Sequence, residues 1–103
     1  MVLKRSGERT PFDRLKVASG VRSASKGRAV TEEQIDELSE SVEDEIRLAA
    51  AAGEDITTSL IGHAVLERLK ALDEVAYMRF ASVYKNFDGA ADFRRELALL
   101  KQS

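Results

Sequence analysis

A chain of 103 residues has room for one small domain with a single core, and 44% hydrophobic with 33% charged content is the composition of a globular fold. The absence of cysteine excludes disulfides, thiolate nucleophiles and cysteine-bound zinc within these residues, a single histidine leaves little for transition-metal binding, and no apolar run approaches a membrane span. No secretory pattern opens the sequence, so a cytoplasmic location is the expectation. The net charge of −2 conceals a strong asymmetry: residues 1–28 carry +6, residues 29–74 carry −10 and residues 75–103 carry +2. Two readings stand side by side. A basic front on an acidic body suggests a local anion site, and the same pattern also arises when the two ends neutralise the middle by surface ion pairs.

Strands are expected only at the front and at one later point. Val2 to Arg5 and Arg9 to Phe12, joined across Ser6-Gly7-Glu8, read as a hairpin whose second strand Pro11 keeps short or at an edge. A lone hairpin is marginal, and Asp55-Ile56-Thr57 is the candidate third strand. Asp13 caps a helix running to about Ser25, with Val17, Val21 and Ala24 inward and Gly27 ending it. Thr31 and Gln34 form a T-x-x-Q capping box for the clearest helix, 32–52, where Ile35, Leu38, Val42, Ile46 and Ala49 make one stripe and Gly53 is the stop. A third helix spans 57–72, with Ile61, Val65, Leu69 and Leu72 on one face. Asp73 caps a fourth through about Phe87, with Ala76, Phe80, Val83 and Phe87 as its core stripe, and a short tail helix from Ala90 to Leu100 presents Phe93, Leu97 and Leu100. The fold class is therefore α+β: a bundle of about four helices capped by a short three-stranded sheet, plus a C-terminal helix, in one domain over 1–103.

Nothing in this order supplies an enzyme. The six glycines are scattered singly, no Walker loop or HExxH is present, and no Ser/His/Asp spacing is meaningful. Glu32, Glu33, Asp36, Glu37, Glu40, Glu43 and Asp44 fall on the side of their helix away from its apolar stripe, which describes a solvated face better than acid–base machinery. His63 is read as a surface or boundary residue. On residue type alone, Lys4, Arg5 and Lys16 are ordinary solvated cations.

The stretch VLKRSGERTPFDRLKV at 2–17, with DITTSLIGHAVLERLKALDEVAYMRFASVYKNF at 55–87, resembles the ATP-cone domain, in the form found in the NrdR family of bacterial ribonucleotide-reductase repressors. The V-x-K-R-x-G opening is the general cone motif, LDEVAYMRFASVY is similar to the repressor form, and the resemblance runs from Val2 to about Phe93. It implies a domain that senses ATP or dATP without turnover, with Mg2+ as an optional companion of the nucleotide. It also implies nucleotide-controlled self-association, and DNA binding only through an N-terminal zinc ribbon whose Zn2+ is held by four cysteines. These residues hold no such ribbon, which suggests an excised cone or a truncated relative. The alternatives are an allosteric cone of a reductase catalytic subunit, or a helical protein-interaction module with no nucleotide.

The resemblance gives the cations a task. A triphosphate is held by cationic side chains together with helix-start amides, and Lys16 in a first helical turn opposes the macrodipole unless an anion lies beside it. On this reading Lys4, Arg5 and Lys16 converge on the phosphates, Val2 lines the base or sugar, and Val17 packs near it. Thr58 matches the threonine that opens the family's third helix, with Thr57 one position away. The family's histidine position falls on Gly62, so His63 does not inherit its role. Tyr77, Ala81 and Tyr84 form a second stripe on the fourth helix, where the two tyrosines flank a purine, complete the core or meet another subunit.

Overall fold

A computed structural model describes residues 1–4 and 6–102. Three short strands, β1 (Val2–Leu3), β2 (Arg9–Thr10) and β3 (Ile56–Thr57), and five helices, α1 (Arg14–Ala24), α2 (Glu32–Ala51), α3 (Thr58–Leu72), α4 (Glu74–Tyr84) and α5 (Ala90–Lys101), make up the described fold. β1 is the central strand. It pairs antiparallel with β2, Val2 opposite Thr10, and parallel with β3, Val2 opposite Ile56 and Leu3 opposite Thr57. The strands are shorter than expected from the sequence, because the hairpin closes early: the Lys4 amide donates to the Glu8 carbonyl at 2.8 Å and the Gly7 amide to the Lys4 carbonyl at 2.9 Å. Gly7 supplies the positive φ of 89° that this turn requires.

The helices begin where capping chemistry places them. The Asp13 carboxylate accepts from the Leu15 amide at the start of α1, Thr31 and Gln34 form the reciprocal box of α2, Thr57 caps α3 through the Leu60 amide, and Asp73 caps α4 through the Ala76 amide. Asp73 also takes a salt bridge from Arg28 at 3.0 Å, tying the loop after α1 to the α3–α4 corner. Its carboxyl lies below the ordinary range, first because of the Ala76 amide bond and then because of the Arg28 guanidinium.

The end of α4 departs from the expected boundary at Phe87. Asn86 adopts φ 54°, its amide donates to the Val83 carbonyl at 3.2 Å and the Phe87 amide reaches back to the Ser82 carbonyl at 2.9 Å. This Schellman closure stops the helix at Tyr84 and turns Phe87 towards Phe93 of α5, ring to edge at 4.9 Å. The core forms between α1, α2, α3 and α4, around the fully buried Val21, Val42, Val65 and Leu69.

Two expected stripes are rotated. α4 buries Ala76, Tyr77 and Ala81, whereas Val83 is 82% exposed and Phe80 only half-buried. The reason is that α4 packs against α1, α3 and α5 at once, so the contact line is drawn by its neighbours rather than by its most apolar edge. Likewise α5 docks through Glu96 and Leu100, leaving Phe93 and Leu97 partly exposed. No helix among the described residues is long and apolar enough to cross a membrane.

Candidate functional site: a groove from the sheet to helix α4

The parallel pairing of β1 with β3 assembles the site. Leu3 lies opposite Thr57, so the next residue on each strand brings Lys4 beside Thr58 at the first turn of α3. The short connection from β2 through Asp13 then delivers Lys16 and Val17 of α1 to the same place. The result is an outer chamber of about 160 Å³ lined by Val2, Lys4, Thr10, Pro11, Phe12, Asp13, Lys16, Val17, Thr58 and Ile61. A middle chamber of about 220 Å³ shares Lys16, Val17, Thr58 and Ile61 with it and adds Gly62, Val65, Phe80 and Tyr84. Behind Phe80 and Tyr84 a third chamber of about 490 Å³ is bounded by Gly20, Ser23, Ala24, Arg79 and Val83.

Small-molecule sites usually exceed about 300 Å³, so neither the outer nor the middle chamber alone holds a nucleotide-sized ligand. Their shared walls make them one cleft, cationic at the sheet end and apolar towards α4.

Five of the residues singled out from the sequence, Val2, Lys4, Lys16, Val17 and Thr58, therefore line one chamber. Val2 and Val17 are buried as its apolar wall, while Lys4, Lys16 and Thr58 are exposed at its rim. Tyr84 enters one chamber further in. Arg5 lies outside the described residues.

Ion pairing separates the basic residues of the front into two groups. Arg14 approaches Glu40 and Glu43 of α2 at 3.7 and 3.6 Å, and Arg22 meets Glu32 at 2.8 Å, so these arginines do neutralise the acidic helix. Lys4 and Lys16 make no salt bridge to any described residue, and neither do Arg9 and Lys26, which do not line the groove. The surface-pairing reading of the charge asymmetry therefore holds for Arg14 and Arg22, and it does not account for Lys4 and Lys16. Asp13 also lines the outer chamber, but its carboxylate is engaged with the Leu15 amide. Capping uses one of the α1 amides suited to anion binding.

Tyr77 requires a correction. It shares a stripe with Tyr84, but seven residues separate the two by about 10.5 Å along the helix axis, and they meet different neighbours. Tyr84 lies over Gly62 and donates to the Thr58 carbonyl at 3.2 Å. Tyr77 is buried, donates to Glu96 Oε2 at 2.5 Å and lines none of the three chambers. The tyrosines do not flank one space.

Glu96 is the partner that the sequence did not signal. It is 3% exposed and accepts from Tyr77 on one oxygen and from Lys85 on the other, at 2.8 Å. Burial pushes its carboxyl upward, but the hydrogen bonds from Lys85 and Tyr77 and the ammonium charge reverse this and hold it below its ordinary value. Burial, followed by the Glu96 hydrogen bond, pushes the Tyr77 phenol above its ordinary range. This network fastens α5 to α4 and is structural.

Gly20 and Gly62 were also missed as site residues. A glycine inside a helix costs about 1 kcal/mol relative to alanine and commonly marks a close approach, which was the available signal. A Cβ at Gly20 would stand 3.4 Å from the Phe80 ring, and one at Gly62 would collide with Tyr84.

The family model for the ATP cone domain matches residues 1–90. A protein from Nocardioides sp. is 52% identical over 97% of this chain, one from Rhodococcus erythropolis 48% over 98%, and one from Corynebacterium efficiens 44% over 99%. All three bear the name Transcriptional repressor NrdR, the name of a regulator rather than an enzyme. This chain spans 57%, 60% and 64% of their respective lengths. Since the match takes in both strands of the hairpin and every residue lining the outer and middle chambers, the chain belongs to the ATP-cone domain family.

Proposed function

We propose that this chain is the adenine-nucleotide sensor of a transcriptional repressor of ribonucleotide-reductase genes, binding ATP or dATP without turning it over. The observation that carries the proposal is the placement of Lys4 and Lys16: neither makes a salt bridge to a described residue, and both line a cleft whose other end is apolar. A nucleotide has the same polarity. Its phosphates suit the lysine end and the Thr58 hydroxyl at the start of α3, and its base suits the wall formed by Val17, Ile61 and Val65. Arg5 is assigned to the phosphate end through the family motif. Mg2+, where it takes part, would arrive on the phosphates, since the described residues contain no cluster of three metal-ligating side chains.

The whole of 1–103 is taken as one regulatory unit, because α5 is fastened to α4 through a buried carboxylate rather than tethered by a linker. Nucleotide occupancy is proposed to select between self-associated forms. The exposed apolar side chains Leu15, Leu48, Val83 and Leu99, each more than half exposed, supply area for such contacts. Operator binding is assigned to the whole repressor through a zinc ribbon, which these cysteine-free residues do not supply. The test is thermal denaturation with ATP, dATP, GTP and no ligand, with sedimentation under the same conditions. Stabilisation by the adenine nucleotides and a nucleotide-dependent change in mass are expected. No shift with either adenine nucleotide would overturn the sensor.

A further inference from the structure

We propose that Tyr84, seated on Gly62, is a specificity-determining partition that closes the inner end of the nucleotide groove and limits the size of the base it admits; this rests on the nucleotide reading above. Three observations carry it. Tyr84 and Phe80 line both the middle and the rear chambers, so together they form the wall between them. The Tyr84 ring occupies the place where any other residue at 62 would carry its Cβ, well inside van der Waals distance of Cζ and both Cε atoms. It is held there by one hydrogen bond, from its hydroxyl to the Thr58 carbonyl at 3.2 Å, and by a stacked contact with Phe80 at 6.1 Å.

The partition is also placed where it can be displaced. Tyr84 is the last residue of α4, directly before the Lys85 cap and the left-handed Asn86, and it is only half-buried. Beyond it lies a chamber of about 490 Å³ whose wall is mainly Gly20, Ala24, Phe80 and Val83. That volume is larger than the middle chamber, so the wall, and not a lack of space, sets the depth of the groove. A nucleotide whose phosphates rest at Lys4 and Lys16 directs its most distant part, the N6 edge of adenine, towards this wall. The bond to the Thr58 carbonyl further links the position of the ring to the residue assigned to the phosphate end.

The partition predicts a change in ligand size preference. Affinities of ATP and N6-benzyl-ATP are measured by calorimetry for the parent, Tyr84→Ala, Tyr84→Phe and Gly62→Ala. The parent and Tyr84→Phe, which keeps the ring, should prefer ATP. Tyr84→Ala and Gly62→Ala, which remove the ring or its seat, should shift the ratio of the two affinities by about tenfold or more towards the benzyl analogue, since an added phenyl ring gains apolar burial in the rear chamber. An unchanged ratio in both variants overturns the proposal.

A second measurement does not depend on nucleotide. The chain has two tyrosines, so 3-fluorotyrosine labelling gives two fluorine resonances, assigned with Tyr77→Phe. Gly62→Ala should move the Tyr84 resonance to a solvent-exposed position and leave that of Tyr77 in place. An unmoved Tyr84 resonance overturns the seat whatever the ligand. A parent that binds neither nucleotide, with the resonance moving as expected, overturns the nucleotide reading and with it the size limit.

Discussion

Replacing Lys16 with alanine separates binding from folding, because the two effects have opposite signs. Lys16 is the third residue of α1, is exposed, and has no salt bridge to any described residue, so the folded chain gains little from its charge. It lies at the positive end of the helix dipole, and its removal should leave stability unchanged or raise it by up to about 0.5 kcal/mol. Against a bound triphosphate the same ammonium contributes a charge-assisted contact of about 1.5 to 3 kcal/mol, so Kd for ATP should rise by about 10- to 150-fold. At ATP near a hundred times the parent Kd, ligand stabilisation should fall from roughly 2.7 to roughly 0.9 kcal/mol for a 30-fold loss of affinity. Calorimetric titration and thermal denaturation with and without ATP measure both quantities. Arg22→Ala is the control, since Arg22 is engaged with Glu32 and lines neither groove chamber. An unchanged Kd for Lys16→Ala, or an equal loss for Arg22→Ala, would refute the assignment of the phosphate end.

Truncating Glu96 to alanine strands Tyr77 and Lys85 and should cost about 2 to 4 kcal/mol, less than a fully buried pair because the Lys85 side chain is 30% exposed. The Glu96 carboxyl is held below its ordinary 4.5, so its contribution is present above that value and is lost as pH falls through the lower folded value. The Tyr77 phenol is held above its ordinary 10.0, so its contribution is present below that pH and fades as pH rises beyond it. Denaturation followed across pH should show both losses in the parent, whereas Glu96→Ala should lose the Glu96 share of the acid loss and show a smaller alkaline loss, the part that burial of Tyr77 alone produces. Leu69→Ala, at a fully buried position, should lower stability by about 2 to 5 kcal/mol in chemical denaturation. For duplex DNA, this chain of net charge −2 should show weak, salt-sensitive binding with no sequence preference in gel retardation, and specific capture of an operator would contradict the assignment of DNA contact to a zinc ribbon.

Local chemistry determined the elements. Capping residues Asp13, Thr31 and Asp73, the apolar periodicity of α2 and the Gly7 turn act within a few residues of where they stand in the chain, so they are legible without knowledge of the fold. The V-x-K-R-x-G opening likewise carried the family, and Lys4, Lys16 and Thr58, which the resemblance singled out, line one chamber. Where the reading failed, the deciding contacts were distant in sequence. Which edge of α4 is buried depends on α1, α3 and α5 together, which is why Val83 is exposed and Tyr77 is turned to Glu96, 19 residues away. The pairing of Arg14 and Arg22 with α2, while Lys4 and Lys16 have no salt bridge among the described residues, is likewise a property of how helices lie against each other, since all four cations look alike in a charge count. The same holds for Gly62, whose missing side chain acquires meaning only when α4 folds back along α3 and lays the Tyr84 ring upon it.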